Sequence, residues 1–230
     1  MPDDLATMAD PRVILLAWAG GVALVAGFIA FARIVGPGFI WLSAGTAGFV
    51  GLAGAFVEDA WWARAALAFV VVGLIWARNG PIAGTALVLA GVGFTSQAVV
   101  SGGGLASLTA ALALGGVTGE MLLGHWYLID PRLPRWALRA LAVAGILGLS
   151  VDALLLALAG GLPGGGVTVA FWVLLVTSIV LMVGVIGALR YPAYSGVMAA
   201  TGLSYLAVLT TLGAVFLGRA LVAGLGPFAS

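Results

Sequence analysis

Two carboxyl side chains, Glu120 and Asp152, stand inside otherwise apolar runs of this sequence. An ionisable group at the centre of a bilayer costs roughly 2.5–3.5 kcal/mol or more when unpaired, so each needs either a partner or a function. Gly116, Glu120 and Gly124 recur at i, i+4 and i+8, and Gly145, Gly148 and Asp152 share one face of the next predicted helix. Each carboxyl therefore projects from a glycine-lined stripe toward a neighbouring helix rather than toward lipid. Measured from the turn at 129–135, Glu120 lies about 12 Å into the membrane and Asp152 about 24 Å, at roughly 1.5 Å of rise per residue. A gap of ~12 Å forbids a shared proton or a shared metal ion. Two roles fit such stations. They form a path for protons or a small cation, extended by Thr118, Ser150, Thr177, Ser178, Ser204 and Gln97; or they are structural and paired, with Arg139 reaching Glu120 and Arg64 reaching Asp152.

A second group gathers at one membrane interface between Gly124 and Arg135. It holds the single histidine, His125, with Trp126, Tyr127, Asp130, Arg132 and Arg135. Arginine forks grip phosphate, an imidazole or phenol hydrogen-bonds a carbonyl, and an indole covers a ring, so the stretch suits a phosphate-bearing lipid head group or a quinone. The competing reading is an interfacial aromatic belt with a turn begun by Asp130-Pro131 and arginines anchoring it. His125 sits about 140° around the helix from Glu120, so the two do not form one acid–base site.

Much other chemistry is excluded by composition. All 9 basic residues are arginine, which removes Schiff-base and phosphate-loop lysines. With Cys 0 there is no thiolate nucleophile, disulfide or cysteine-ligated metal, and one histidine cannot supply paired haem ligands. Ser195-Gly196 matches an intramembrane serine nucleophile at those two residues only, with the single histidine at the cytoplasmic end of span five, and the adjacent Glu58-Asp59 pair diverges instead of caging magnesium. No catalytic residue, metal ligand or resident cofactor emerges. The net charge of +1 offers no surface for nucleic acid.

These residues must be positioned by membrane helices. Of 230 residues, 63% are hydrophobic and 7% charged, against about 25% charged in soluble domains, and the mean hydropathy is +1.23. Apolar stretches near the ~20 residues needed to cross a bilayer fall at 13–35, 38–57, 61–77, 81–100, 105–128, 136–159, 167–189 and 194–217. Short Gly- and Pro-rich turns separate them, and none alternates as a barrel strand would. The expectation is an all-α integral membrane protein: a polytopic bundle of about eight transmembrane helices in one domain, 1–230, with 1–12 as a short extramembrane tail. Gly is 36 of 230, much of it inside the spans, where close backbone approach replaces the hydrophobic drive that lipid removes. No internal repeat stands out in the sequence.

The first residues lack the basic region of a secretory signal, so no cleavage is expected. With eight spans both termini share a side, carrying Arg12, Arg64 and Arg219. The other side carries Arg33, Arg78, Arg132, Arg135, Arg139 and Arg190. The basic excess puts that side in the cytoplasm and both termini outside, in a membrane of the bacterial cytoplasmic type. The leading functional expectation is a structural or accessory subunit of a membrane complex, partnered by lipid and by other membrane subunits, with a lipid- or quinone-contacting turn at His125 to Arg135. The alternatives are a small proton- or cation-coupled transporter using Glu120 and Asp152, and an interfacial lipid-modifying enzyme, with a non-enzymatic role favoured.

Overall fold

The computed structural model describes residues 10–55, 60–130, 133–158 and 165–223. The Glu58-Asp59 pair, Arg132 and most of the N-terminal tail lie outside them. The described residues form eight α-helices and no strand: α1 Pro11–Phe31, α2 Pro37–Gly54, α3 Trp61–Ile75, α4 Gly80–Ala98, α5 Gly104–Tyr127, α6 Arg135–Leu158, α7 Gly166–Ala188 and α8 Tyr194–Val222. A π-helical turn, Val99–Gly103, joins α4 to α5. Helix starts are set by local chemistry. Asp10 accepts from the Arg12 N–H at 2.8 Å with Pro11 in the first turn, and Asn79 accepts from the Ile82 N–H at 3.3 Å ahead of Pro81.

By length and apolarity, five helical runs can cross a membrane, with α4, the π turn and α5 counted as one run of 48 residues, Gly80–Tyr127. That run does not continue straight. Gly102 takes φ 102° and Gly104 φ 52°, values glycine reaches without a Cβ clash. Beyond them the direction reverses. Gly20 and Gly27 of α1 face Gly91 and Gly84 of α4, in descending order, whereas Gly21 and Val25 face Gly115 and Gly119 of α5, in ascending order. So α4 runs antiparallel to α1, and α5 runs parallel to it.

Glycine sets how close these helices come. A Cβ on Gly115 would lie 2.5 Å from the Gly21 carbonyl carbon, and one on Gly116 would lie 2.6 Å from the Gly145 nitrogen. Backbone therefore meets backbone at the α1–α5 and α5–α6 crossings. The surface is inverted relative to a water-soluble protein. Phe49, Val100, Leu105, Ile75, Leu158 and Leu209 point outward, while alanine, glycine and hydroxyl side chains join Phe39, Phe94, Leu87 and Leu114 in the interior. The chain is a helical membrane protein.

A repeat invisible in the sequence is plain in the packing. In the first half α1 packs on α2 and α4, and α3 lies between α2 and α4; in the second, α5 packs on α6 and α8, and α7 lies between α6 and α8. Because α1 and α5 run in the same direction, the halves are parallel and not inverted. They meet along α1 and α5. Both described intramembrane carboxyls belong to the second half.

Candidate functional site

Asp152 is closed off. The Arg219 guanidinium donates to its Oδ1 at 2.6 Å, and the Thr109 hydroxyl makes a short hydrogen bond to the same oxygen. Arg219 also donates to the Ala106 carbonyl at 2.8 Å, tying α8 to the start of α5. All three side chains are buried. This corrects the pairing expected from the sequence. Arg64 is exposed on α3, which packs against α2 and α4, away from α6. Arg219 was read from the sequence as a residue of the membrane boundary, but α8 runs to Val222 and carries it inside the bundle.

Glu120 is different. It is 0% exposed, and neither carboxyl oxygen has a hydrogen-bond partner among the described residues. The expected Arg139 contact is not made, because Arg139 donates to the Leu189 carbonyl at 2.9 Å instead. Across from Glu120 stands α8 with Ser204 and Thr201. The place a Cβ would take on Gly124 is 2.7 Å from Thr201 Oγ1 and 3.7 Å from Glu120 Oε1, so the absence of a side chain on this glycine lets Thr201 pack directly against α5 beside the carboxyl. Both hydroxyls donate to their own helix. Thr201 donates to the Val197 carbonyl at 2.9 Å and Ser204 to the Thr201 carbonyl at 2.8 Å. Each hydroxyl, engaged in this way, has lone pairs free for a proton or cation held at the carboxyl. Glu120 faces two hydroxyls and no cationic side chain among the described residues.

The two stations are far apart. Asp152 is level with Thr109, about 16 Å along α5 from residue 120 at ~1.5 Å per residue. The other intramembrane polar groups do not bridge them. Thr118 accepts from the Trp18 indole at 2.8 Å, Ser178 pairs with Thr210 at 2.7 Å, Gln97 pairs with Ser101 at 3.0 Å, Ser150 is exposed and Thr177 half-buried. Of these side chains, Ser204 is the one that stands against Glu120. Thr211, buried with an unpartnered hydroxyl, is the one polar side chain on the α8 face between Ser204 and Arg219. Among the described residues there is no group of three or more His, Cys, Asp and Glu side chains placed to hold a metal ion.

The interfacial cluster is dispersed by helix geometry. His125 is exposed, with Nδ1 3.2 Å from the Tyr205 hydroxyl of α8. Trp126 turns to α2, packing edge-on to Phe39 at 6.2 Å and over Gly38. Tyr127 is buried. Arg135 donates to the carbonyls of Tyr191, Pro192 at 2.7 Å and Ala193 at 3.3 Å, so its fork caps the α7–α8 turn. Neighbouring residues on a helix diverge by about 100°, and His125, Trp126 and Arg135 turn to α8, α2 and the α7–α8 turn respectively. No family model, curated protein or solved structure matches the chain.

Proposed function

We propose that this chain is an eight-span protein of a cytoplasmic-type membrane that binds a proton or a monovalent cation at Glu120, between α5 and α8, in the service of coupled transport. The observation that supports this is the fully buried carboxyl that has no cationic partner among the described residues and faces the hydroxyls of α8. A lone carboxylate in a dry interior is costly, and a site made of carboxyl and hydroxyl lone pairs is completed by a positive species. One negative charge matches one proton or one monovalent ion; a divalent ion would leave a buried excess charge. Asp152 in this reading is not a second station but a brace, neutralised by Arg219. With Arg219 inside the bundle, the described arginines at helix ends favour the side of the α1–α2, α3–α4, α5–α6 and α7–α8 turns still more, which supports a cytoplasmic assignment of that side and outer termini.

The test is flux in proteoliposomes under an imposed pH or sodium gradient. Glu120→Gln keeps the shape of the side chain and removes the ionisable group, and it is expected to abolish flux. Undiminished flux would remove Glu120 from the transport reaction.

A second reading, a structural subunit of a larger membrane complex, is favoured by a separate observation. Asp152 is paired, the helix crossings are glycine-tight, and the described polar groups form no continuous path. A stable larger assembly on native purification, with no flux from the isolated chain, would favour it.

A further inference from the structure

On the face of the molecule where α1 meets α2 and α3 meets α4, a cavity of about 390 Å³ is lined by Arg33, Arg78, Asn79, Gly80 and Pro37. Neither the Arg33 nor the Arg78 side chain has a hydrogen bond or ion pair among the described residues. The corresponding place in the second half is only partly alike: Arg190 after α7 is exposed and, like Arg78 after α3, makes no side-chain hydrogen bond among the described residues. There Arg135 and Arg139 spend their donors on the carbonyls of 189, 191, 192 and 193. In the first half the guanidinium groups face open space.

The backbone at Arg33 adds a second observation. The end of α1 is a Schellman turn: the Arg33 N–H reaches the Ala30 carbonyl at 3.2 Å and the Ile34 N–H reaches the Ile29 carbonyl at 3.4 Å. This motif puts its penultimate residue in the left-handed region, where glycine is the usual occupant, yet here arginine holds φ 50°. The turn itself does not need arginine. Its stem also lies against α4: Arg33 Cγ is 3.8 Å from where a Cβ on Gly80 would be, at the first residue of that helix. A helix N-terminus is its positive end, so a cation set there is disfavoured unless an anion lies between them.

We propose that this cavity binds a phosphoryl group, clamped by Arg33 and Arg78 over the start of α4. The shape and charge fit a tetrahedral anion with several acceptor oxygens, which two guanidinium forks can share. Its location at helix ends is level with lipid head groups, and free phosphate carries the same chemistry.

Arg33→Gly and Arg78→Gln separate binding from folding, because glycine satisfies the turn and Arg78 holds no internal contact. The protein in nanodiscs of phosphatidylcholine containing phosphatidylglycerol is examined by native mass spectrometry for retained anionic lipid. In a second arm, detergent-purified protein is titrated with inorganic phosphate by calorimetry. The wild type is expected to retain phosphatidylglycerol over phosphatidylcholine, with each substitution weakening retention about tenfold, as loss of one charge-assisted contact implies. Phosphate binding lost in both variants, without lipid preference, assigns the site to a soluble phosphoryl ligand. The proposal is overturned if neither probe binds, or if binding survives both substitutions.

Discussion

Replacing Asp152 with Asn strips the counter-charge from Arg219 while keeping the volume of the side chain. The guanidinium is then left buried with the Ala106 carbonyl and an amide in place of a carboxylate at 2.6 Å. Breaking a buried ion pair on one side costs about 3–5 kcal/mol. Asp152 is six residues from the end of α6 at Leu158, so about 9 Å from that terminus, and relaxation of the long Arg219 stem toward the interface lowers the loss to about 3 kcal/mol. Removing both charges gives a different result: Asp152→Leu with Arg219→Met replaces a desolvated pair with apolar contacts and is expected within about 1 kcal/mol of wild type. The four proteins form a double-mutant cycle, read by equilibrium unfolding in mixed micelles with tryptophan fluorescence, and the expected coupling is about 2 kcal/mol or more. The reasoning fails if Asp152→Asn stays within about 0.5 kcal/mol of wild type. It also fails if the double substitution loses the sum of the two single losses.

Other consequences follow from packing and capping. Gly145→Leu pushes α6 off α5 at the crossing with Gly116 and is expected to lower thermal stability in detergent by about 1–3 kcal/mol or more, whereas Gly202→Ala, whose Cβ meets open space, is expected to be neutral or to stabilise α8 by up to about 1 kcal/mol; equal effects would contradict the glycine argument. Arg135→Gln releases the carbonyls of Tyr191, Pro192 and Ala193, so amide hydrogen exchange should accelerate in the α7–α8 turn and nowhere else; an unchanged turn would show that the cap is unimportant. Because the chain has Cys 0, single cysteines at Asn79 and at Gly165 report orientation directly: labelling of 79 from the cytoplasmic side and 165 from the outer side is expected, and both from one side would refute the eight-span proposal.

The helices were legible because lipid imposes one simple demand, long apolar runs broken by Gly and Pro, and the stretches read from sequence coincide with the helices to within a few residues. α8 departs most, running past 217 to Val222. That difference hid Arg219: a positive charge near the end of a run reads as a boundary, although Thr211 and Val215 at four-residue spacing place Arg219 on the face toward α5. The glycine stripes around Glu120 and Asp152 announced close helix contacts, and the structure shows them at Gly124 beside Thr201 and Gly145 beside Val117. Partner choice was not legible, since it depends on which helices are neighbours: α3 lies in the other half from α6, and Arg139 is captured by the α7–α8 turn. The stretch from His125 to Arg135 reads as one cluster in the sequence, but among its described residues His125 turns to α8, Trp126 to α2 and Arg135 to the α7–α8 turn. The repeat of four helices lies in the order of contacts, which small apolar residues can meet in many sequences.

The claim that Glu120 takes up a proton or a monovalent cation is tested most directly by infrared difference spectroscopy of the reconstituted protein during a pH or sodium jump. A carboxyl band that responds to the jump is expected in the wild type, is expected to survive in the Asp152→Leu, Arg219→Met protein, and is expected to vanish in Glu120→Gln. A difference spectrum that is identical with and without the Glu120 carboxyl would contradict the account.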